Sequence, residues 1–575
     1  MKRRLWALAA LLVGTLALVP TAMSAAPPKE NDTLVQLLAI NDFHGNIQPP
    51  SGSSGRIQIG PLATDTVNAG GVQYLATHIK QLAEANSNTL FVGAGDQIGA
   101  SPLISGIFHD EPTIEALNIA GMEVTAVGNH EFDEGLAELL RMQYGGCHPV
   151  DGCQDGDPFG GALFQYLAAN VVYEGTNTTV LPPYEIKKFG NAKIAFIGLT
   201  LEGTPSIVSA SAVEGLEFRP EIQTVNAFVD YLRANEGVKS FVVLIHQGGA
   251  QTAPFASGFM DINRCDNLSG AIVDIVNGIT PKVKVVISAH THLPYICNNF
   301  QGTGKLVTSA SSFGRLITDI DLTIDHQSKE ITNVAARNVI VTRDVLPDQR
   351  ELDLIKKYDD ISKPISQAVV GTITGDITQA AAPNGESALG DVIADSQLFS
   401  TEQDHHGNAV VAFMNPGGIR ADLLYLGSPT GGLDGQVTYG ELFSVQPFNN
   451  LLQTKTMLGS KIYELLEQQW SGPNAAQNRI LQISDGFTYS YNSTLPNTSR
   501  VTPGSVMIDG VPVDPFASYR VTMNNFLGGG GDNFAAFTSG ADTLNGQLDI
   551  DAVVDYFATH SPVAPGPRDR ITKLG

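Results

Sequence analysis

Residues 33–45, TLVQLLAINDFHG, decide the reading of the first half of the chain. The first eight are almost all apolar, as in a strand buried on both faces of a layered sheet. The apolar run then breaks into Asn41, Asp42, Phe43, His44 and Gly45. The same pattern recurs along the chain. Leu90–Val92 leads to Asp96, Val124–Val127 to Gly128-Asn129-His130-Glu131-Phe132-Asp133, Phe241–Ile245 to His246, and Val283–Ile287 to His290-Thr291-His292. Lys193–Leu199 is a further apolar run, and helical patterns such as Tyr74–Glu84 and Pro112–Ala120 lie between strands. Strands alternating with helices predict a layered α/β domain over residues 33–340.

In open α/β sheets, ligands bind beyond the carboxyl ends of the strands. That rule brings Asp42, His44, Asp96, Asn129, His246, His290 and His292 to one edge. Asp42 with His44, and His290 with His292, are two residues apart, so each pair is expected to face one side in extended chain. One histidine after a strand is usually structural. Five such fragments in a fixed order are hard to obtain by chance.

Composition sets the outer limits. The 575 residues carry 34 Lys+Arg against 58 Asp+Glu, a formal charge of −24, with 43% hydrophobic residues. A chain this apolar folds. A surface this acidic disfavours nucleic-acid polymers but leaves room for a small anion at a metal or an Arg. Lys2, Arg3 and Arg4, the apolar run Leu5–Val19, and the small residues Ala22 and Ser24 read as a secretory signal peptide over residues 1–24. Its removal takes away three basic residues and no acidic one, moving the formal charge from −24 to −27. The mature protein is expected outside the cytoplasm, secreted or in the periplasm or cell envelope, without a transmembrane segment. Four cysteines allow three pairings. Local pairing gives Cys147–Cys153 and leaves Cys265–Cys297, and without a CxxC pair a thiolate metal site is disfavoured.

The α/β pattern fades near Val341. Residues 344–370, DVLPDQRELDLIKKYDDISKPISQAVV, form a charged helical stretch with a proline near each end, expected to link two domains over residues 341–370. A second block, residues 371–575, carries four further segments. These are NGESALGD (384–391), MNPGGIR (414–420), TYGELFSVQPFNN (438–450) and MNNFLGGGGDNF (523–534).

The first constellation resembles the metallophosphoesterase superfamily, the calcineurin-like phosphatases. The second set resembles the C-terminal domain of the 5′-nucleotidase family, an α+β domain. The resemblance implies two divalent ions (Zn, Mn, Co or Fe), one on Asp42, His44, Asp96 and His292, the other on Asp96, Asn129, His246 and His290. Asp96 is the implied bridge, and His130, oriented by Asp133, is the implied catalytic group on the phosphate. In the second domain it implies that Phe448 and Phe526 sandwich the base and Asp532 accepts from ribose hydroxyls. Asn415 is implied to face the base, Gly418 to allow close approach, and Arg420 to reach phosphate or ribose. The implied reaction is cleavage of nucleoside 5′-monophosphates to nucleoside and phosphate, by attack of a metal-activated hydroxide on phosphorus. Domain rotation would carry substrate to the metals, with a hinge in Asp348–Ser362.

Alternatives on the same scaffold are a 2′,3′-cyclic nucleotide phosphodiesterase and a UDP-sugar or dinucleotide pyrophosphatase. A non-catalytic nucleotide-binding surface protein is a third. Two departures stand out. Residues 379–383, QAAAP, lack an Arg that family members commonly carry, and Asp391 stands where Asn is usual.

Overall fold

A computed structural model describes residues 28–575, apart from 51, 63, 253–258, 404–405, 428–431 and 476. The expected leader, residues 1–24, lies outside the described residues. Two six-stranded sheets form the first domain. Thr33–Ile40 runs parallel to Thr89–Ala94, which pairs in parallel with Met122–Ala126, and Leu316–Ile324 and Ile331–Ile340 complete one edge in antiparallel. In the other sheet Ala192–Thr200, Ser240–His246, Val283–Ser288 and Leu306–Ser309 are parallel neighbours.

Side-chain alternation explains the layering. Val35, Leu37 and Ala39 share a core with Val242, Leu244, Val285 and Ile287 between the sheets. Leu38 and Ile40 point outward to Val72, Leu75 and Ile114 of the first helical layer. Val243, Ile245 and Val286 pack with Val225, Val229 and Ile272 of the second. The order is therefore helices, sheet, sheet, helices. The carboxyl ends of both sets of parallel strands open on one edge. The antiparallel edge strands are a feature that alternating α/β patterning did not foretell.

The linking stretch is an 18-residue helix, Gln349–Ser366, started by Asp348, whose side chain accepts from the Arg350 amide. Pro364 lies inside its last turn rather than beyond its end. The helix is docked on the first domain. Tyr358 packs edge-on to Phe108 at 4.9 Å and its hydroxyl donates to Asp155 at 3.0 Å, while Lys357 donates to the same carboxylate at 2.6 Å. A hinge within Asp348–Ser362 does not fit this anchoring, because bending there would break buried contacts on one rigid helix.

Glu351 in the first turn of this helix is fully buried, and neither carboxyl oxygen has a hydrogen-bond partner. Burial pushes its pKa up to about 9, against the stabilising pull of the helix N-terminus. An unfolded Glu titrates near 4.3. Between those values the unfolded chain releases a proton that the folded chain keeps, so stability falls as pH rises. Glu351→Gln is expected to raise Tm by roughly a few degrees at about pH 8, and by less at about pH 4.5, in calorimetric scans.

The second domain centres on a five-stranded sheet, ordered Gln482–Ile483, Val411–Met414, Ser518–Asn524, Leu451–Leu458, Ala541–Leu548. Helices Ala388–Thr401 and Asp549–His560 cover one face through Leu389, Ile393, Val553 and Phe557. Trp470, Phe413 and Phe487 fill the other. Leu103 of the first domain enters the core around Leu442 and Phe443, so the two domains touch through apolar side chains. Both disulfides, Cys147–Cys153 and Cys265–Cys297, are formed. Among the described residues no helix is long and apolar enough to cross a membrane.

Candidate active site

Asp42, His44, Asp96, Asn129, His246, His290 and His292 all follow or end parallel strands, and they meet at the open edge. Asp42, His44 and His292 can each place one ligand atom within 4.8 Å of the others, and so can Asp96, His246 and His290. His292 Nε2 is 3.3 Å from Asp42 Oδ1, and His246 Nε2 is 2.9 Å from Asp96 Oδ2. The route to this convergence differs from expectation. Asp42, His44, Asp96, His290 and His292 have φ of 51°, 49°, 50°, 74° and 59°. They occupy the left-handed region, not extended chain. Five non-glycine residues there mark stored strain, which the surroundings must hold. Tight turns thus aim pairs two residues apart at one point.

The restraints are visible. The Asp42 amide donates to Gly95 O at 3.1 Å and the His44 amide to Asp96 O at 3.1 Å. Asn41 Nδ2 donates to Asp42 Oδ2 at 2.6 Å, and the His290 amide approaches the same oxygen at 3.0 Å. Glu131 takes the amides of Asp96, Gln97 and Gly128 at 2.9, 2.8 and 2.5 Å. Burial first, then the Asp96 charge, raises the Glu131 carboxyl to about 7. A Cβ at Gly128 would lie 2.1 Å from Asp96 Oδ1, so only glycine fits there.

Two buried atoms test whether this cluster suits a metal. Asn129 Oδ1 has no hydrogen-bond partner, and neither does His246 Nε2, which lies close to Asp96 without the alignment of a hydrogen bond. His44 Nδ1 and His246 Nδ1 sit 2.8 and 3.0 Å from Gly99 O and Ala94 O. Donation there leaves both Nε2 lone pairs facing the cluster, as outer partners do for metal-bound imidazoles. Burial would raise Asp96, but His246, His130 and His44 hold it well below the usual carboxylate range. Burial would lower His246, but Asp96 and Asp42 raise it to about 9, while burial and the His246 charge lower His290 to about 3. Carboxylates, an amide oxygen and imidazole nitrogens gathered at a buried centre fit divalent cations of the Zn, Mn, Fe or Co type.

His130 sits at the rim. Its amide donates to Asp96 Oδ1 at 2.9 Å, and its Nδ1 pairs with Asp133 Oδ2 at 2.7 Å. Burial lowers its pKa, but Asp133 and Asp96 outweigh that and raise it.

From the second domain, Phe448 lies nearly parallel to the His130 ring, 5.7 Å away at 18°. The Arg420 guanidinium is 5.9 Å from the Phe448 ring centre. Arg420 is also within the field of Asp96, Asp133 and Asp42. Asn415 donates to Asp532 Oδ2 at 3.0 Å and accepts from Asn524 Nδ2 at 3.1 Å. Phe448 and Phe526 are half-buried, with area left to cover. Gly418 has ordinary φ, and a Cβ there would reach the Met414 methyl at 2.5 Å. In the glycine run, Gly528 and Gly531 are buried against side chains while Gly529 is exposed. A Cβ at Gly528 would meet Gln453 Oε1 at 2.2 Å, and one at Gly531 the Phe526 ring at 2.5 Å.

Residues 35–294 match the calcineurin-like phosphoesterase family, and residues 369–539 match the 5′-nucleotidase C-terminal domain. The chain is 30% identical to Endonuclease YhcR of Bacillus subtilis over 95% of its own length, but it spans only 41% of that protein. It is also 30% identical to Cell wall protein Lmo0130 of Listeria monocytogenes, over 93% of this chain and 68% of that one. The chain belongs to the 5′-nucleotidase family. Among solved structures, a 5′-nucleotidase precursor from Thermus thermophilus shares the fold, with a TM-score of 0.73, 24% identity, and coverage of 94% of this chain and 100% of that one.

Within this 5′-nucleotidase-family chain, the structure groups Asp42, His44 and His292, and Asp96, His246 and His290, and it joins Asn415 to Asp532 and Phe448 to Arg420 and His130. The motifs did not point to Arg479, whose Nη1 donates to Asp532 Oδ1 at 2.5 Å. Nor did they point to Glu131 as the acceptor of three amides, although it lies inside the GNHE motif. Glu386, by contrast, is structural. Its carboxylate takes the amides of Arg570 and Ile571, both at 3.1 Å. Asp391 is buried with no hydrogen-bond partner on either oxygen, and burial pushes it up to about 8.

Proposed function

We propose that the chain hydrolyses nucleoside 5′-monophosphates to nucleoside and phosphate. Asp42, His44, Asp96 and His292 would hold one divalent cation, and Asp96, Asn129, His246 and His290 a second. The observation that carries this reading is the approach of Phe448 and Arg420, from the second domain, to His130 beside the carboxylate–imidazole cluster. A flat ring, a guanidinium and a cation-binding cluster in one crevice match the base, phosphate and reacting phosphorus of a nucleotide. Divalent cations bound there would neutralise phosphoryl oxygens and make a water acidic enough to attack near neutral pH.

The side chains do the rest. Phe448 and Phe526 offer stacking faces, worth about 1–3 kcal/mol per base. Asp532, fixed by Asn415 and Arg479, presents a carboxylate to ribose hydroxyls. Arg420 binds phosphate oxygens. His130, held by Asp133, donates a proton to the leaving 5′-oxygen. The basic leader and the small residues after it support export, which N-terminal sequencing of protein recovered outside the cytoplasm would check.

The test is a parallel assay of AMP, UDP-glucose, 2′,3′-cyclic AMP and a single-stranded oligonucleotide, with Mn²⁺ or Zn²⁺ and phosphate detection. AMP is expected to be the best substrate by kcat/KM. Cleavage of any of the other three with AMP untouched would overturn the assignment. Arg479 pairs with Asp532 at 2.5 Å. Arg479→Ala should raise the KM for AMP by roughly tenfold or more, since it strands the buried Asp532 carboxylate, with a smaller change in kcat.

A further inference from the structure

A second group of imidazoles and carboxylates lies outside the catalytic crevice. His109 comes from the turn between two helices and has φ of 51°. His148 and Asp151 come from the loop closed by the Cys147–Cys153 disulfide. The His109 and His148 rings are stacked, 3.7 Å between centres at 16°. His109 Nε2 is 2.9 Å from Asp151 Oδ2, and His148 Nδ1 is 3.3 Å from the same oxygen. His109 Nδ1 is 2.8 Å from Glu134 Oε2. The Asp151 amide points at His148 Nδ1 at 3.1 Å, so that nitrogen carries a lone pair and no proton.

We propose that His109 Nε2, His148 Nδ1 and Asp151 form a further site for a zinc-class divalent cation, distinct from the catalytic cluster. Three of their ligand atoms already lie within 4.8 Å of one another. A tetrahedral site with arms of about 2.0–2.1 Å has edges of roughly 3.3 Å, close to the 2.9 and 3.3 Å nitrogen–oxygen spacings seen here, and binding would splay the stacked rings so that both lone pairs reach one ion. Two imidazoles and one carboxylate suit Zn²⁺ and its neighbours over Ca²⁺ or Mg²⁺. Glu134 plays the part that Gly99 O and Ala94 O play in the catalytic cluster. It holds Nδ1–H of His109 and leaves Nε2 as the ligand, a carboxylate–histidine–metal arrangement.

Glu138 also approaches His109, but its carboxylate is taken by Arg141 through contacts of 2.6 to 3.0 Å. The ring edges are partly open to solvent, with side-chain exposures of 17% for His109, 15% for His148 and 45% for Asp151, so an ion can enter. The site would fasten the disulfide loop to the turn that carries His130 and Asp133, because Glu134 is the next residue. The competing account of the same geometry is an imidazolium at His109 clasped by Glu134 and Asp151, with no ion.

Metal counting separates the two. The full-length protein is dialysed to equilibrium against Zn²⁺ and its zinc measured by mass spectrometry, alongside His148→Ala and the near-isosteric Asp151→Asn. Each variant is expected to hold one zinc fewer per chain than the wild type, whatever the count at the catalytic cluster. Competition with a chromophoric chelator should show at least a tenfold loss of affinity for that one ion. Equal zinc content and affinity in the wild type and a folded variant would overturn the proposal in favour of the clasped imidazolium. Circular dichroism identifies which variant is folded, and either one suffices.

Discussion

Asp96→Asn is expected to lower kcat for AMP by roughly 10³-fold or more, with little change in secondary structure. The carboxylate is buried among cationic and imidazole groups. Its Oδ2 lies 2.9 Å from His246 Nε2 and 3.7 Å from His44 Nε2, while Oδ1 accepts the His130 amide. Its carboxylate thus lies beside imidazoles of both proposed ligand sets. An amide keeps the shape but removes a full negative charge from a site that must bind two dications. Metal content measured on the same sample should fall below the wild-type value. Wild-type turnover at saturating metal would show that the chemistry does not pass through this cluster. The variant's Tm is predicted to fall only modestly, because the left-handed turn at Asp96 is also held by Glu131 through its amide. Gly128→Ala should be worse for folding than for any one ligand, since the added methyl meets Asp96 itself.

The sequence was informative where chemistry and periodicity coincide. Apolar strands ending in Asp, Asn and His located one sheet edge, and the structure brings the residues of that edge together. The backbone conformation was not legible. A spacing of two suggested extended pairs at Asp42/His44 and His290/His292, and the structure replaces them with left-handed turns. Local propensity disfavours such φ values in non-glycine residues. Only the surrounding amide donors, supplied from distant segments, select them. Arg479 was illegible for a related reason. It joins Asp532 across 53 positions, in a stretch with no motif of its own. The linker helix was readable from its charge and length, but its docking was not. Tyr358 is an ordinary aromatic in the sequence, and it becomes an anchor only against Phe108 and Asp155.

The docked helix also narrows where the domains can pivot. Gln349–Ser366 is tied to the first domain through Tyr358 and Lys357, and the second domain's first strand begins at Val369. The two residues between them, Gln367 and Ala368, are both exposed and are the natural place for a pivot. Any rotation that exposed Phe448 to incoming substrate would also withdraw Leu103 from the Leu442–Phe443 core. That apolar contact therefore favours the closed arrangement seen here.

His130→Ala is expected to lower kcat by about 10²–10⁴-fold, the range for a positioned acid, while leaving metal content unchanged. The backbone amide of His130 donates to Asp96, and its ring lies beside His44 and Asp96, with a ligand atom within 4.8 Å of theirs, but Nδ1 is committed to Asp133 at 2.7 Å and the ring face to Phe448. Removing the ring thus deletes a proton donor without deleting a cation's place. The retained metal content distinguishes this variant from Asp96→Asn, whose activity loss should travel with metal loss. Asp133→Asn adds a pH signature. The Asp133 and Asp96 charges raise the His130 pKa against burial, so the protonated form is present below that raised value and is lost as pH rises through it. Without the Asp133 charge the pKa drops, and the alkaline limb of the kcat profile should move to lower pH. An unchanged alkaline limb in Asp133→Asn, with kcat intact in His130→Ala, would remove His130 from the chemistry and leave it as a structural platform for Phe448.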